Sequence, residues 1–155
     1  MSDVAGSSNI YLSLTVGTIP PELTGTLYRL GPARIRVGKD RYGHWFDSDG
    51  VMFAIEFDSA TNSASAGART VRTDRVVKQE AAGEENGIAV RGAWTQAKSM
   101  FANLFQFPTN PGNTAPIFHA GKLLALCEGG SPIEVGLDRY ACHVILHIVD
   151  LRFLG

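Results

Sequence analysis

His44-Trp45-Phe46-Asp47-Ser48-Asp49-Gly50 runs directly into Val51-Met52-Phe53-Ala54-Ile55-Glu56-Phe57. Two aromatic or β-branched runs joined by an Asp/Ser/Asp/Gly turn make the clearest hairpin signal in the chain, because Asp and Gly supply turn geometry and their flanks suit a pleated surface. A polar turn from Asp58 to Gly67 follows, and then Ala68-Arg69-Thr70-Val71-Arg72-Thr73, whose Thr and Val favour a strand. The pattern predicts a second hairpin, Val51–Phe57 against Ala68–Thr73, so that three strands form a meander.

Upstream of that region, Ile19-Pro20-Pro21 opens the ordered part, since a residue before Pro is pushed into extended geometry. Leu23 to Leu30 reads as a short strand, with Gly31-Pro32 as punctuation. Downstream, Lys78 to Asn103 breaks the rhythm. Glu80, Glu84 and Glu85 lie in an Ala/Gly-rich stretch that suits a loop or a short helix. The aromatics and Met between Thr95 and Phe105 fit one helical face or a loop packed on the sheet. The strand pattern returns with Ala115-Pro116-Ile117-Phe118, a turn at His119-Ala120-Gly121-Lys122, and Leu123-Leu124-Ala125-Leu126-Cys127. Glu128 to Pro132 closes that hairpin, and Ile133-Glu134-Val135 begins another strand. The whole is all-β meander organisation with strands about 10 residues apart.

The 155 residues, 45% apolar and 19% charged, are ordinary globular composition for one compact domain or a piece of a larger one. No apolar run approaches the ~20 residues of a membrane-spanning helix. The stretch Met1 to Asn9 is small and polar, without a basic segment leading into an apolar one, so a secretory signal is not expected and a cytosolic protein is the default. A net charge of -1 with no basic patch argues against nucleic acid as the main partner. Cys127 and Cys142 form neither a disulfide framework nor a metal knuckle and are expected to be buried as small apolar side chains.

Three groups of residues invite a chemical reading. Asp47 and Asp49, beside His44, have the spacing to share a hard cation, but the further ligands and closing Glu of a calcium loop are absent, and Asp in a tight turn ordinarily satisfies backbone groups. His143 and His147, adjoining Cys142, would share a helical face. The Val and Ile between Val144 and Leu151 favour a strand instead, where the two imidazoles would stand roughly 13 Å apart, too far for one metal. His119 sits at a hairpin turn, where capping of backbone groups is the simpler role. No phosphate loop, nucleophile elbow or Ser/His/Asp arrangement follows from the spacing.

Together these runs are more specific than any one of them. Ile19-Pro20-Pro21-Glu22-Leu23-Thr24-Gly25-Thr26-Leu27-Tyr28-Arg29-Leu30-Gly31-Pro32-Ala33, followed by Tyr42-Gly43-His44-Trp45-Phe46-Asp47-Ser48-Asp49-Gly50, resembles the start of the carotenoid cleavage oxygenase family. That family includes bacterial apocarotenoid and lignostilbene oxygenases and the retinoid isomerase of the eye. Arg69-Thr70-Val71-Arg72-Thr73 is similar to its next element, and Asn113 through Gly130 to a later one. The turn in such proteins usually reads Asp-Gly-Asp-Gly, whereas Ser48 stands here in place of the first Gly. The resemblance ends at Gly136, and the apolar stretch from Arg139 to Gly155 reads as a truncated or frame-shifted product.

The resemblance implies a seven-bladed β-propeller with Fe(II) held on its axis by four His, cleaving a conjugated C=C bond with O2 into two carbonyl products. Seven blades need roughly 300 residues, so this chain would supply about two blades of an incomplete propeller. Residues 1–18 would be an N-terminal extension, 19–135 the N-terminal portion of the propeller and 136–155 a divergent tail. The four iron-binding His of the family lie beyond the matching part. His44 and His119 fall in motifs that bear no ligand, so no catalytic, cofactor-binding or metal-binding residue is carried over. The complete enzyme would take an apolar carotenoid, apocarotenoid or stilbene, drawn from a membrane through an apolar patch. The chain alone is expected to be inactive, as a fragment of that dioxygenase or as a non-catalytic β-sheet module that binds an apolar ligand or partner.

Overall fold

The computed structural model describes residues 10–12, 14, 16–104 and 107–136. Its first sheet has four antiparallel strands in the order β1-β6-β5-β2: β1 (Ile10–Leu12), β2 (Gly25–Arg34), β5 (Asp49–Asp58) and β6 (Ser63–Thr70). A small ribbon pairs β3 (Arg36–Val37) with β4 (Asp40–Arg41), and a three-stranded sheet runs β7 (Ala115–His119), β8 (Lys122–Cys127), β9 (Gly130–Val135). Between the two larger sheets the chain forms α1 (Asp74–Ala82) and the short α2 (Met100–Leu104).

Register explains where the core forms. Leu30 lies opposite Met52 and Tyr28 opposite Ala54, so alternate residues of β2 and β5 share one face. In the other sheet Leu123 pairs with Val135 and Ala125 with Ile133. Met52, Val71, Leu123, Ala125, Ile133 and Val135 then meet as one buried cluster, with Tyr28 and Leu30 packed on it. The core therefore lies between the sheets and joins them. Its burial is the main cohesive force, at about 25 cal/mol per Å2 of apolar area removed from water.

Several expectations are corrected. Val51–Phe57 does pair with the strand after it, with Val51 opposite Thr70 and Asp58 opposite Ser63, but that strand starts five residues before Ala68 and stops at Thr70. His44-Trp45-Phe46 is not the partner strand. Trp45–Asp47 is a single 3-10 turn capped by His44, and the true partner of β5 is the distant β2. The strand expected over Leu23–Leu30 runs on through Gly31 and Pro32 to Arg34, with Gly31 opposite Val51. Pro32 lacks only a donor, and β2 is the outer strand of its sheet, which is where a Pro is tolerated. Within residues 1–18, Ile10–Leu12 already pairs with β6.

The stretch read as loop or short helix begins with α1. Thr73, expected to end a strand, accepts a hydrogen bond from the Val76 amide and caps the helix. The inward face of α1 is built from Arg75, Val76 and Gln79, two of them polar, so apolar periodicity does not reveal it. Among the described residues of the Thr95–Phe105 stretch, helix is confined to Met100–Leu104.

The β7–β8 hairpin is where the sequence puts it. His119 pairs with Lys122 across Ala120 and Gly121, both with positive φ (49° and 78°), the geometry of a two-residue hairpin loop. The backbone of these two residues sets the turn, and His119 is exposed at the end of its strand. Cys127 has no disulfide partner among the described residues and is only half-buried, contrary to the expectation of burial. Cys142, His143 and His147 lie outside the described residues.

Candidate functional site

The turn entering β5 is tied to several distant parts of the chain. Gly50 donates to the carbonyl of Pro111 (3.0 Å) and accepts from the amide of Val71 (2.7 Å). A Cβ on Gly50 would fall on the carbonyl of Gly112, so only glycine lets the β7 lead-in approach. The Asn113 side-chain amide donates to the carbonyls of Phe46 (2.9 Å) and Ser48 (2.7 Å). The turn thereby joins the first sheet to the lead-in of the second.

Asp47 and Asp49 do not share a site. Asp47 is buried, and its carboxylate accepts from the amides of Ala93 (2.8 Å) and Trp94 (2.9 Å) and from the Thr95 hydroxyl (2.6 Å). It holds a loop more than 40 residues away in sequence rather than its own turn, a long-range role that spacing could not show. Asp49 points elsewhere. Its carboxylate meets Nε of Arg75 at 3.1 Å and Nη1 of Arg34 at 3.7 Å, and the Tyr42 hydroxyl lies 3.3–3.4 Å away. The Arg75 guanidinium stacks 4.2 Å over the Tyr42 ring and donates to the Asp47 carbonyl. Burial pushes the Asp49 carboxyl above its ordinary range, while Arg75 and Arg34 pull it back in part. Burial, reinforced by the Asp49 charge, likewise raises the Tyr42 phenol.

Ser48 sits between the two carboxylates, fully buried, and its hydroxyl has no partner among the described residues. Its backbone is extended (φ -66°, ψ 143°), so the position does not require the glycine usual in the family.

His44 accepts a hydrogen bond from the Phe46 amide at Nδ1 (3.2 Å). Its ring lies 5.0 Å from Phe46 and 4.9 Å from Trp94, centroid to centroid. Trp45, Phe46 and Trp94 are each more than half exposed, and Met100, Phe101 and Leu104 of α2 and Phe107 are more exposed still. Among the described residues no three His, Cys, Asp or Glu side chains gather into a metal site. One nitrogen of His44 is occupied by a cap, His119 stands at a hairpin end, and both Asp are committed to the scaffold. The described residues do not fit an iron centre.

Comparison with known proteins decides the family. A family model described as retinal pigment epithelial membrane protein matches residues 1–140. The chain belongs to this family, the carotenoid cleavage oxygenases. Apocarotenoid-15,15'-oxygenase of Synechocystis is 36% identical over 119 residues, spanning 75% of this chain and 24% of the relative. Resveratrol cleavage oxygenase 1 of Chaetomium globosum is 32% identical over 119 residues, spanning 77% and 19%. The crystal structure of the cobalt-substituted Synechocystis oxygenase superposes with a TM-score of 0.74 at 30% identity, covering 85% of this chain and 27% of that one. The chain thus spans about a quarter of the length of the curated relatives it matches. Its two larger sheets are about two blades of the seven-bladed propeller that this carotenoid oxygenase family shares.

Within the carotenoid oxygenase frame, sequence reasoning singled out Asp47 and Asp49 but missed Arg34, Tyr42, Arg75 and Thr95, whose side chains meet the two carboxylates, and Asn113, which ties the turn through the Phe46 and Ser48 carbonyls. The one local signal was Thr73-Asp74-Arg75-Val76, a helix-start pattern that would have placed Arg75 on α1.

Proposed function

We propose that this chain is the N-terminal scaffold portion of a non-haem Fe(II) dioxygenase that cleaves a conjugated C=C bond of a carotenoid or apocarotenoid, and that it is inactive alone. The carrying observation is the pairing of a close structural match to the Synechocystis apocarotenoid oxygenase with a turn whose acids hold a distant loop and α1 and whose His44 caps the turn itself. In this reading the iron ligands lie outside the described residues, the Asp47 and Asp49 networks dock the 93–95 loop and α1 on the first sheet, and Gly50 and Asn113 join that sheet to the lead-in of the second. Residues 19–135 form the propeller portion, Ile10–Leu12 of the N-terminal extension adds an edge strand to its first sheet, and 136–155 is a divergent tail. The exposed side chains of Met100, Phe101, Leu104 and Phe107 give the assembled enzyme an apolar face for peripheral membrane contact and polyene uptake. No helix of the described residues is long and apolar enough to cross a membrane.

A stilbene is the second substrate class, favoured by the similarity to the resveratrol cleavage oxygenase. The test is anaerobic Fe(II) titration of the purified 155-residue chain, with metal analysis after desalting and an oxygen-uptake assay on an apocarotenal and on resveratrol. No retained iron and no turnover are expected. Near-stoichiometric iron would overturn the proposal and direct attention to His143 and His147, and turnover of either substrate would show a complete centre in this chain.

A further inference from the structure

The β3–β4 ribbon carries a charge arrangement that the scaffold does not need. Val37 pairs with Asp40 across Gly38 and Lys39, and Arg36 pairs with Arg41. Gly38 has φ 54° whereas Lys39 does not have a positive φ, which matches a two-residue loop with Gly first. The closing pair of such a loop is hydrogen-bonded, and the Tyr42 amide donates to the Ile35 carbonyl (3.0 Å), so the pair at 35 and 42 is hydrogen-bonded too. Arg36 and Arg41 therefore occupy the intervening non-hydrogen-bonded position, where opposed Cα atoms come within about 4.5 Å and side chains are closest.

Alternation assigns the two faces. Ile35, Val37 and Tyr42 pack with Ile88 on the inner face, while Arg36, Lys39 and Arg41 are exposed. Like charges directly opposed on a ribbon destabilise it. The cations around the ribbon are neutralised: Arg34 by Asp49 and Glu84, Arg75 by Asp49, Lys98 by Asp40. Arg36 and Arg41 have no ion-pair partner among the described residues. Asp40 is engaged with Lys98 and the Ile88 amide, and Glu84 with Arg34.

We propose that the outer face of the β3–β4 ribbon is a phosphate-binding surface in which the Arg36 and Arg41 guanidinium groups grip one phosphate dianion between them, with Lys39 beside it. Two planar forks and an ammonium match the several acceptor oxygens and double charge of a phosphate monoester better than they match a single carboxylate. The ribbon is held rigidly from behind. A Cβ on Gly38 would strike the Glu84 carbonyl, so the tip is seated on the segment after α1 and the two arginines need little ordering on binding. The phosphate is either that of a small soluble ester or that of a lipid headgroup.

The test uses the full chain at pH 7. Thermal melts are recorded against inorganic phosphate and against sodium chloride at matched ionic strength, and cosedimentation is measured with phosphatidylcholine vesicles with and without phosphatidic acid. Phosphate is expected to raise Tm beyond chloride, with half-saturation at least about fivefold higher in Arg36→Gln and Arg41→Gln. Arg36→Glu, which supplies Arg41 with a partner, should raise the Tm of the free protein and abolish the phosphate response. A response to inorganic phosphate identifies a soluble source. Capture by phosphatidic acid vesicles alone, lost in Arg36→Glu, identifies a headgroup. The proposal is overturned if neither probe gives a response that Arg36→Glu removes.

Discussion

The Asp49 carboxylate lies 3.1 Å from Nε of Arg75, and neither side chain is more than 1% exposed. The pair joins the first residue of β5 to the inward face of α1, so the helix is docked on the sheet through charge rather than through an apolar stripe. A buried pair of this kind need not add net stability, because desolvation opposes the attraction, but removing one member leaves an uncompensated buried charge. Arg75→Met or Asp49→Ala is therefore expected to cost about 3–5 kcal/mol. The double variant Asp49→Ala/Arg75→Met should cost clearly less than the sum of the singles. Urea unfolding of all four proteins checks this, and simple additivity would show that the two groups are not coupled.

Asp47 supports a different loop and leads to a separate expectation. Asp47→Ala strands two backbone amides and the Thr95 hydroxyl that the carboxylate now accepts from. The expected loss is about 3 kcal/mol, in line with buried donors left without acceptors. Because Trp94 is one of those donors, its emission should change in the folded state, whereas Asp49→Ala should affect stability without that local signature.

Ser48 gives the opposite sign. Its buried hydroxyl lacks a partner among the described residues, and its extended backbone suits any residue. Ser48→Ala removes an unpaired polar group at no conformational cost and is expected to stabilise the chain by about 1 kcal/mol. Ser48→Gly, which restores the family's usual residue, should gain less because glycine is freer in the unfolded chain. A lower urea midpoint for Ser48→Ala than for the parent would mean that the hydroxyl is satisfied in solution.

These contrasts show why part of the architecture was legible and part was not. Strand content, the β5–β6 hairpin and the β7–β8 hairpin are local properties, written in period-two patterning and in turn residues such as Ala120-Gly121. The pairing of β2 with β5 spans a separation that no local pattern encodes, and the aromatic run at His44–Phe46 imitated a strand while forming a capped turn. Helix α1 showed only as one alternative, loop or short helix, over its second half, because its buried face carries Arg75 and Gln79. The side-chain amide of Gln79 donates to the Gly87 carbonyl and its oxygen accepts from Ala89 (both 2.8 Å), so it anchors the loop after α1. Motif order carried the family, whereas partners of Asp47 and Asp49 such as Ala93 and Arg75 lie far from them in the chain and leave no local pattern.

The glycines divide along the same line. Gly31 lies in the middle of β2 without positive φ, and a Cβ there meets open space. Gly31→Ala should be neutral or stabilising by about 0.4–1 kcal/mol. Gly50→Ala would drive a methyl group into the Gly112 backbone, which cannot move without releasing the link between the sheets. A loss of several kcal/mol, or no folded protein at all, is expected. Circular dichroism melts of the two variants read the difference directly.

Acid behaviour separates an exposed carboxylate from a buried one. The Asp58 carboxyl is held below its ordinary value of 3.8, chiefly by the Thr61 hydroxyl at 2.6 Å and then by the Thr61 amide. A carboxylate with a depressed folded-state pKa contributes stability that is fully present above the unfolded value and is lost as the pH falls through the folded one. The advantage of the parent over Asp58→Ala should thus be constant from neutral pH down to about 5 and shrink below the ordinary value of 3.8. Asp49 works with the other sign. Burial raises its pKa, so the protonated form is favoured in the fold and ionisation opposes folding as the pH rises past the ordinary value. Urea midpoints of the parent and Asp58→Ala between pH 6 and 3 test the first statement. A gap between the two proteins that widens toward low pH would refute it, because the turn would then be held by the protonated acid rather than by its carboxylate.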